Sequence, residues 1–581
     1  MDLDLVVRGG IVVDGTGAPG RRSDLGIADG RIAAVGELDS ARETIDAAGC
    51  WVTPGFIDPH TYLDAQLCWD ASASPSNRHG VTTVAIGLSG LGVAPSRPAH
   101  LEYLRRSLAA AEEIPLACTE IGVPFRWQSW NEYWDFLGQQ PLEVNVAAYL
   151  PHSTLRYSVM GPRARSEAAT DNEIREMRRQ LCAALAAGAL GLSTSRAENH
   201  IDGFGDPVAS RSASDEELRA LVAECRGARW YIQLATRPPD ELNSLLDEVE
   251  RYTDWSLRSG VELCWGPLLS DWSDDQLDQI LEHLQKLNDR GGRVTAQVGL
   301  LPSTTTLSFD RAERFFGFQV PAISALDPVE RVRCVADSNF RSKLRLSNQS
   351  ELRAWEKWIP LASLSRPRAV GKRLGDLAAS GGKDVIDYVC DMLLDDDFET
   401  VFQVATGNRN PEQIDRLMQN PNTLLGLGRA GAQLASANAY SYPTRLLESH
   451  VRGGRIPIET AVDLLATRPA RTLGLADRGR LIPGARADVC IVDPAEVACG
   501  ELKISRDLPA GQKRVFQEGL GYRAVIVNGV PTVSYDDPMG TGPGLRVGCA
   551  FRSEIHFRLN ARGFCVPSVW RIARRADTVT G

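Results

Sequence analysis

WVTPGFIDPHTYLDAQLCWDASASPSNRHGVTTVAIGLSGLGVAP, residues 51–95, is the stretch on which the fold turns. Two short apolar runs end in polar or small residues and are separated by a turn-rich segment. Parallel barrel strands have this texture when their C-terminal ends face a pocket. The first run delivers Asp58, His60, Tyr62 and Asp64 to that end, and the second delivers Leu88 and Ser89.

Outward from this stretch, β-type runs alternate with helical ones, the pattern of a parallel sheet with crossover helices. Strands are expected at 52–59, 81–88, 144–150, 189–195, 230–236, 261–268, 293–300, 400–406 and 423–429. Helices are expected at 101–112, 171–187, 214–226, 239–251, 274–289 and 384–395. The helix over 171–187 starts at Thr170-Asp171 and spaces Ile174, Met177 and Leu181 along one face. Nine strands are one more than a closed eight-stranded barrel needs, so one of the last three belongs to a loop or an edge. Both chain ends differ from this middle. LDLVVRGGIVVDG and DLGIADGRIAAVGEL near the start, and RGRLIPGARADVCIVDP and YRAVIVNGVPTVS near the end, alternate short β-runs with Gly-rich turns. The economical organisation is a (β/α)8 barrel over 53–470 inserted into a small β-sandwich built from both termini, residues 1–52 and 471–550. Weak periodicity over 302–383 predicts short helices over the barrel mouth. A locally basic tail, 551–581, reads as solvated or subunit-contacting.

Composition narrows the function classes. The chain has 581 residues, 43% hydrophobic and 24% charged, with a formal net charge of −10. That balance argues against nucleic-acid binding, which calls for a basic stripe. No apolar run approaches 18 residues, so a transmembrane helix is not expected, and MDLDLVVRGGIVVDG does not read as a signal peptide. The 12 cysteines are scattered without a CxxC pair and read as reduced residues of a cytoplasmic protein.

The motifs carry a family resemblance. With VVRGGIVVDGTGAPG, TPGFIDPHT, HGVTTV, PHSTLRYSVMG, AGALGLSTSR, TLLGLGRAGA and GLADRGRLIPGARADVCIVDP, the chain resembles the amidohydrolase superfamily, specifically its long branch of N-acyl-D-amino-acid deacylases (D-aminoacylases). The resemblance implies a barrel with a composite β-sandwich, one or two divalent metals, usually zinc, and hydrolysis of an amide by metal-bound hydroxide. The departures fall at the chemical positions. The family's His-x-His is His60-Thr61-Tyr62 here, its Asn-Cys-Gly is Leu88-Ser89-Gly90, and its Asp-Ala-Gly-Ala-His is Arg429-Ala430-Gly431-Ala432-Gln433. A neutral phenol and a serine hydroxyl are poor zinc ligands, and a guanidinium offers no lone pair. A divalent ion near Arg429 would meet roughly twice the ~4 kcal/mol that two unit charges exchange at 4 Å and an effective dielectric near 20.

These departures give the site expectations. His60, Tyr62, Asp64 and Arg429 form the catalytic set; Ser89, Arg196, His200 and Gln433 form the substrate-binding set. Asp58 fixes the His60 tautomer or acts as a salt-bridge residue. Tyr62 either stabilises an oxyanion or plugs a vacated ion site, and Ser89 is either a nucleophile served by His60 or a passive small residue. Arg429 either holds a substrate carboxylate or closes an internal salt bridge to Asp58 or Asp64. His152 lines the mouth or anchors a loop; His79 is structural. No cofactor is expected, with zinc as the alternative. Function is expected to be a repurposed, metal-independent enzyme acting on an acyl-amide, peptide-like or carboxylate-bearing small molecule. The alternatives are a catalytically silent protein that binds a ligand or partners an active homologue, and a deacylase with metal ligands redrawn from His60, Asp64, His200 or a cysteine. A homo-oligomer is the other expected partner.

Overall fold

The computed structural model describes residues 2–39, 41–234, 241–307, 326–347, 355–363, 365–432, 436–534 and 537–547, and two short strands, Phe557–Leu559 and Cys565–Pro567. Apart from those strands, the basic tail lies outside the described residues. Among the described residues no helix is long and apolar enough to cross a membrane.

Eight parallel strands build the barrel: β1 (Phe56–Asp58), β2 (Val81–Ile86), β3 (Asn145–Ala148, resuming at Leu150–Pro151), β4 (Gly191–Ser195), β5 (Arg229–Gln233), β6 (Glu262–Leu268), β7 (Val294–Val298) and β8 (Thr423–Leu425). Every residue of β2 and β5 is buried. Strands covered on both faces need such continuous apolar and β-branched runs, which explains why they do not alternate. The ring closes beyond β1 and β8, where Thr61 bridges to Ala430 and Tyr62 N–H donates to Ala430 O at 2.7 Å. Ile57, Ala85, Ala147, Tyr149, Tyr231, Cys264 and Leu424 fill the barrel interior.

Crossover helices follow the sequence signals. Helix Asp171–Ala186 opens on a capping box between Thr170 and Glu173 and buries Ile174, Met177, Leu181 and Leu185. Helix Asp274–Asp289 opens on the equivalent pair Ser273 and Gln276. The expected ninth strand lies outside the barrel. Val401–Gly407 is the centre of a three-stranded antiparallel sheet, flanked by Ser303–Leu307 and Ile359–Ala362. With helices Pro328–Ala336, Ser338–Ser347, Leu374–Ser380 and Val385–Asp395, this sheet encloses a second core around Trp355, Trp358, Ile386, Val389 and Phe402.

The two chain ends meet in one nine-stranded sheet. Trp51–Pro54 pairs antiparallel with Val489–Val492 on one side and parallel with Leu5–Val12 on the other. The sheet therefore joins Leu5–Pro54 to Val489–Pro538, and its first-half strand Trp51–Pro54 runs directly into β1.

Candidate active site

The C-terminal ends of the barrel strands converge on one polar chain. His60 follows β1; its Nδ1 lies 2.5 Å from Gln297 Oε1, at the end of β7, and its Nε2 lies 3.0 Å from the Tyr62 hydroxyl. Tyr62 reaches Ser89 Oγ, beyond β2, at 2.5 Å. Ser89 touches the Gln233 side-chain amide at the end of β5, and the other face of that amide lies 3.0 Å from His200 Nε2. His200 Nδ1 is 3.0 Å from Ser195 Oγ, at the end of β4. His60, Tyr62, Ser89, Gln233 and His200 are all buried.

Hydrogens can be counted along this chain. Four contacts link Gln297, His60, Tyr62, Ser89 and Gln233, and neutral His60, Tyr62 and Ser89 bring three hydrogens. Either His60 carries a second proton or one amide turns its NH2 towards the chain. Burial, aided by the nearby Arg429 and against the pull of its Gln297 contact, lowers the His60 pKa to about 3. Turning either amide completes the count instead. With Gln297 turned, it donates to His60 Nδ1, His60 Nε2–H to Tyr62, Tyr62 to Ser89, and Ser89 to Gln233; with Gln233 turned, every bond runs the other way. In the latter arrangement His200, likewise lowered to about 3 by burial and then by Arg429, donates to the Gln233 oxygen and accepts from Ser195. Burial raises the Tyr62 phenol above its usual range, so the chain is neutral and internally satisfied.

Charge enters through Arg429. It follows β8 in a left-handed backbone conformation (φ 62°), with its N–H donating to His60 O at 3.2 Å. That bond fixes its Cα beside the chain. Among the described residues no hydrogen bond or ion pair reaches its guanidinium. The side chain lines a cavity of about 30 Å³ with Leu300, Leu301, Ser303, Thr304, Ser436, Asn438 and Tyr442. That volume has room for a water. The carboxyls near this end are all buried. Burial pushes Asp58 up to about 8, against the lowering pull of the His60 N–H and Tyr442. Asp64, which accepts from Gly87 N–H at 3.1 Å, is pushed by burial up to about 7.

The expected residues thus divide by position. His60, Tyr62, Ser89 and His200 share the chain, and Arg429 stands over it. Asp64 is turned towards the β2 turn, and Asp58 accepts from the His60 backbone at 3.1 Å. Arg196 donates to the carbonyls of Ser210, Arg211 and Ala213, holding that loop. Gln433 lies outside the described residues. His79 bridges Thr444 and the Gln517 carbonyl. His152 belongs to a separate buried cluster with Glu217 and Arg156. Gln233 and Gln297 were missed; each is the polar last or penultimate residue of a barrel strand, and that position was the available signal.

Among the described residues no group of three or more His, Cys, Asp or Glu side chains converges to hold a metal ion. Comparison with known proteins sets that against a metal-binding background. Residues 43–231 and 392–533 match the amidohydrolase family model. D-aminoacylase of Alcaligenes xylosoxydans xylosoxydans is 30% identical over 537 residues, covering 91% of this chain and 94% of that protein. N-acyl-D-glutamate deacylase of the same organism is 28% identical over 537 residues, with 91% and 93% covered. Among solved structures, D-aminoacylase with its binuclear metal centre superposes at a TM-score of 0.63, with 26% identity over 94% of this chain and all of that one. N-acyl-D-glutamate deacylase from Bordetella bronchiseptica, complexed with zinc and a phosphonate inhibitor, gives 0.64 at 26% identity, covering 95% and 100%. The metals in these two structures overturn the expectation of a site without a cofactor.

Proposed function

Because the chain belongs to the amidohydrolase family, we propose that it acts on a carboxylate-bearing acyl-amide, an N-acyl amino acid or a peptide-like analogue, at the C-terminal end of its barrel. The observation that carries this reading is Arg429, a permanent cation on a cavity wall whose counter-charge no described residue supplies within ion-pair distance. A guanidinium so placed takes a carboxylate with two parallel hydrogen bonds. The similar proteins named D-aminoacylase, N-acyl-D-aspartate deacylase and N-acyl-D-glutamate deacylase support the same class, since each name denotes an amide that carries a carboxylate.

The remaining groups divide the work. Leu300, Leu301 and Tyr442 line the apolar side of this cavity and Ser303, Thr304 and Asn438 its polar side; at about 30 Å³ it admits a water-sized group, so an acyl chain would lie outside it. His60 Nε2 meets the Tyr62 hydroxyl at 3.0 Å, the contact through which a proton would pass along the chain. The D-aminoacylase structure has a binuclear metal centre and the N-acyl-D-glutamate deacylase structure holds zinc. The imidazoles of His60 and His200 are the residues of the polar chain that would hold such an ion, their Nε2 atoms now meeting the Tyr62 hydroxyl and the Gln233 amide.

The test is a panel of N-acetyl-D- and N-acetyl-L-amino acids, assayed for binding and hydrolysis by protein as purified, zinc-loaded and chelator-treated. Binding of at least one member, with KM raised about 100-fold in Arg429→Met, is expected from the loss of charge-assisted hydrogen bonds worth roughly 3 kcal/mol together. Equal binding by Arg429→Met overturns the reading. That no group of three or more His, Cys, Asp or Glu converges among the described residues favours a second reading, a silent ligand-binding relative, which the same panel identifies as binding without turnover under all three metal conditions.

A further inference from the structure

His200 enters the polar chain from the base of a small hairpin, His200–Val208, that follows β4. Its carbonyl accepts the Val208 N–H at 3.1 Å, Ile201 bridges to Pro207, and the Asp202 N–H donates to Asp206 O at 2.7 Å. A loop of this length has no core of its own, so what its tip touches sets where its base lies. Asp202, only 1% exposed, ties the tip together. One of its carboxylate oxygens accepts the N–H groups of Phe204 and Asp206 at 2.8 and 3.1 Å, and the other accepts from Arg165 Nε at 2.7 Å. Arg165 also reaches Asp206. Gly203 lies against helix Leu101–Ala111, so close that a Cβ there would stand 2.2 Å from Arg106 Cβ and 2.6 Å from the Arg106 carbonyl oxygen. The Phe204 ring has the guanidinium carbons of Arg106 and Arg165 at 5.3 and 5.0 Å from its centre and lies parallel to Tyr103.

The tip is thus fastened to two elements that flank β3, helix Leu101–Ala111 before it and the turn Gly161–Arg165 after it, while the base carries the imidazole. Phe204 is 48% exposed and belongs to none of the buried apolar clusters, so its contacts seat the tip rather than build a core. His200 needs that seating. Its ring meets Gln233 with one nitrogen and Ser195 with the other, both at 3.0 Å, and a rotation at the base of the hairpin breaks the two contacts together. Resting on the reading that a ligand binds at the C-terminal end of the barrel, we propose that Asp202 and Phe204 are positioning residues for His200. They fix the hairpin to Arg165 and Arg106 and so hold the imidazole at the β4–β5 end of the polar chain. This deepens that reading by assigning the alignment of one end of the site to residues outside it.

The experiment labels the histidines of the full-length protein with nitrogen-15 and records their ring-nitrogen resonances at pH 8, where even a released imidazole, with a pKa of about 6.5, is neutral. Wild type is compared with Phe204→Ala, Phe204→Tyr and Asp202→Ala, and His200→Gln identifies the His200 signals by their loss. Wild-type His200 should show two well-separated ring nitrogens, the signature of one tautomer held at both ends. Phe204→Ala and Asp202→Ala should draw them together, as in an imidazole that exchanges tautomers freely. Phe204→Tyr keeps the ring and should keep the separation, and the signals of His79 and His152 should stay in place throughout. The N-acetyl-amino-acid panel, titrated by calorimetry, reads the consequence: Phe204→Ala should lose roughly five- to ten-fold in affinity, the worth of one hydrogen bond, and Phe204→Tyr no more than about two-fold. If the His200 signals stay apart in Phe204→Ala, or if those of His79 and His152 move with them, the positioning proposal is overturned whatever the panel does. If the His200 signals alone draw together but no panel member binds wild type, or Phe204→Ala binds as wild type, the positioning of His200 stands and the reading of the ligand site falls.

Discussion

Glu217→Gln is the perturbation whose cost the structure defines best. Arg156, with no side-chain exposure, places Nε 3.0 and 3.1 Å from the two oxygens of Glu217, itself fully buried. His152 Nε2 shares Oε1 at 2.8 Å, and its Nδ1 lies 2.8 Å from Thr194 on β4. The remaining Arg156 nitrogens donate to the carbonyls of Ala164, Ala209, Glu167 and Ser212. Glutamine keeps the shape and one acceptor oxygen, so the change removes charge and leaves a buried guanidinium without its counter-ion. At 3 Å and an effective dielectric near 20 the pair exchanges about 5 kcal/mol, part of which is returned by no longer burying a carboxylate. Breaking buried pairs in this way costs about 3–5 kcal/mol, and about 3–4 kcal/mol is expected here. Urea unfolding followed by circular dichroism at pH 7 measures it as a shift in midpoint at constant slope. Glu217→Leu with Arg156→Met should be less destabilised than the two singles summed, by about 2 kcal/mol. The pH dependence follows from the same contacts. Burial would raise Glu217, but His152 and Arg156 outweigh it and hold it below the usual carboxylate range. Its stabilisation is therefore present above about pH 4 and lost as pH falls through the lowered pKa. A loss under 1 kcal/mol for Glu217→Gln would refute the reasoning.

Two further outcomes follow. Asp58, Asp64 and Glu112 keep protons to about 8, 7 and 8 in the fold, whereas unfolded carboxyls lose theirs near 4, so these three groups make stability fall as pH rises through that range. His60, His79 and His200, lowered to about 3, 4 and 3, pull the other way while unfolded imidazoles bind protons, fully below about 6.5 and fading by about 7.5; thermal-shift midpoints should drop between pH 6.5 and 7.5 by the equivalent of about 2 kcal/mol. A flat or rising midpoint there contradicts the burial of these acids. Gly191→Ala places a Cβ 1.6 Å from Arg229 O, so β4 must move off β5; a loss of about 3 kcal/mol or more, visible in soluble yield and unfolding midpoint, is expected, and a wild-type midpoint refutes that close approach.

The barrel and the composite sheet were legible because both textures are local: continuous apolar runs in one, short runs with Gly turns in the other. Val401–Gly407 is the one of the last three candidate strands that leaves the barrel, and sequence could not single it out because VFQVATG has the same run; only its antiparallel partners, Ser303–Leu307 and Ile359–Ala362, distinguish it. His60, Tyr62, Ser89 and Arg429 could be read because a motif placed them. Gln233 and Gln297 could not, because a single polar residue at a strand end has no spacing to read. Arg196 shows the converse: adjacency to a strand end placed it near the pocket, but three carbonyls already hold its guanidinium.

The pairing of Trp51–Pro54 with Val489–Val492 also sets the order in which the molecule can be made. During synthesis the first strand emerges about 435 residues before the one that completes it, a wait of roughly 20–90 s at ordinary elongation rates. Throughout that interval Trp51–Pro54 presents an unpaired edge, and whatever barrel has formed hangs from a half-built sheet. Chaperone demand and sensitivity to premature termination should therefore concentrate in the codons for Val489–Pro538, far downstream of every residue in the polar chain.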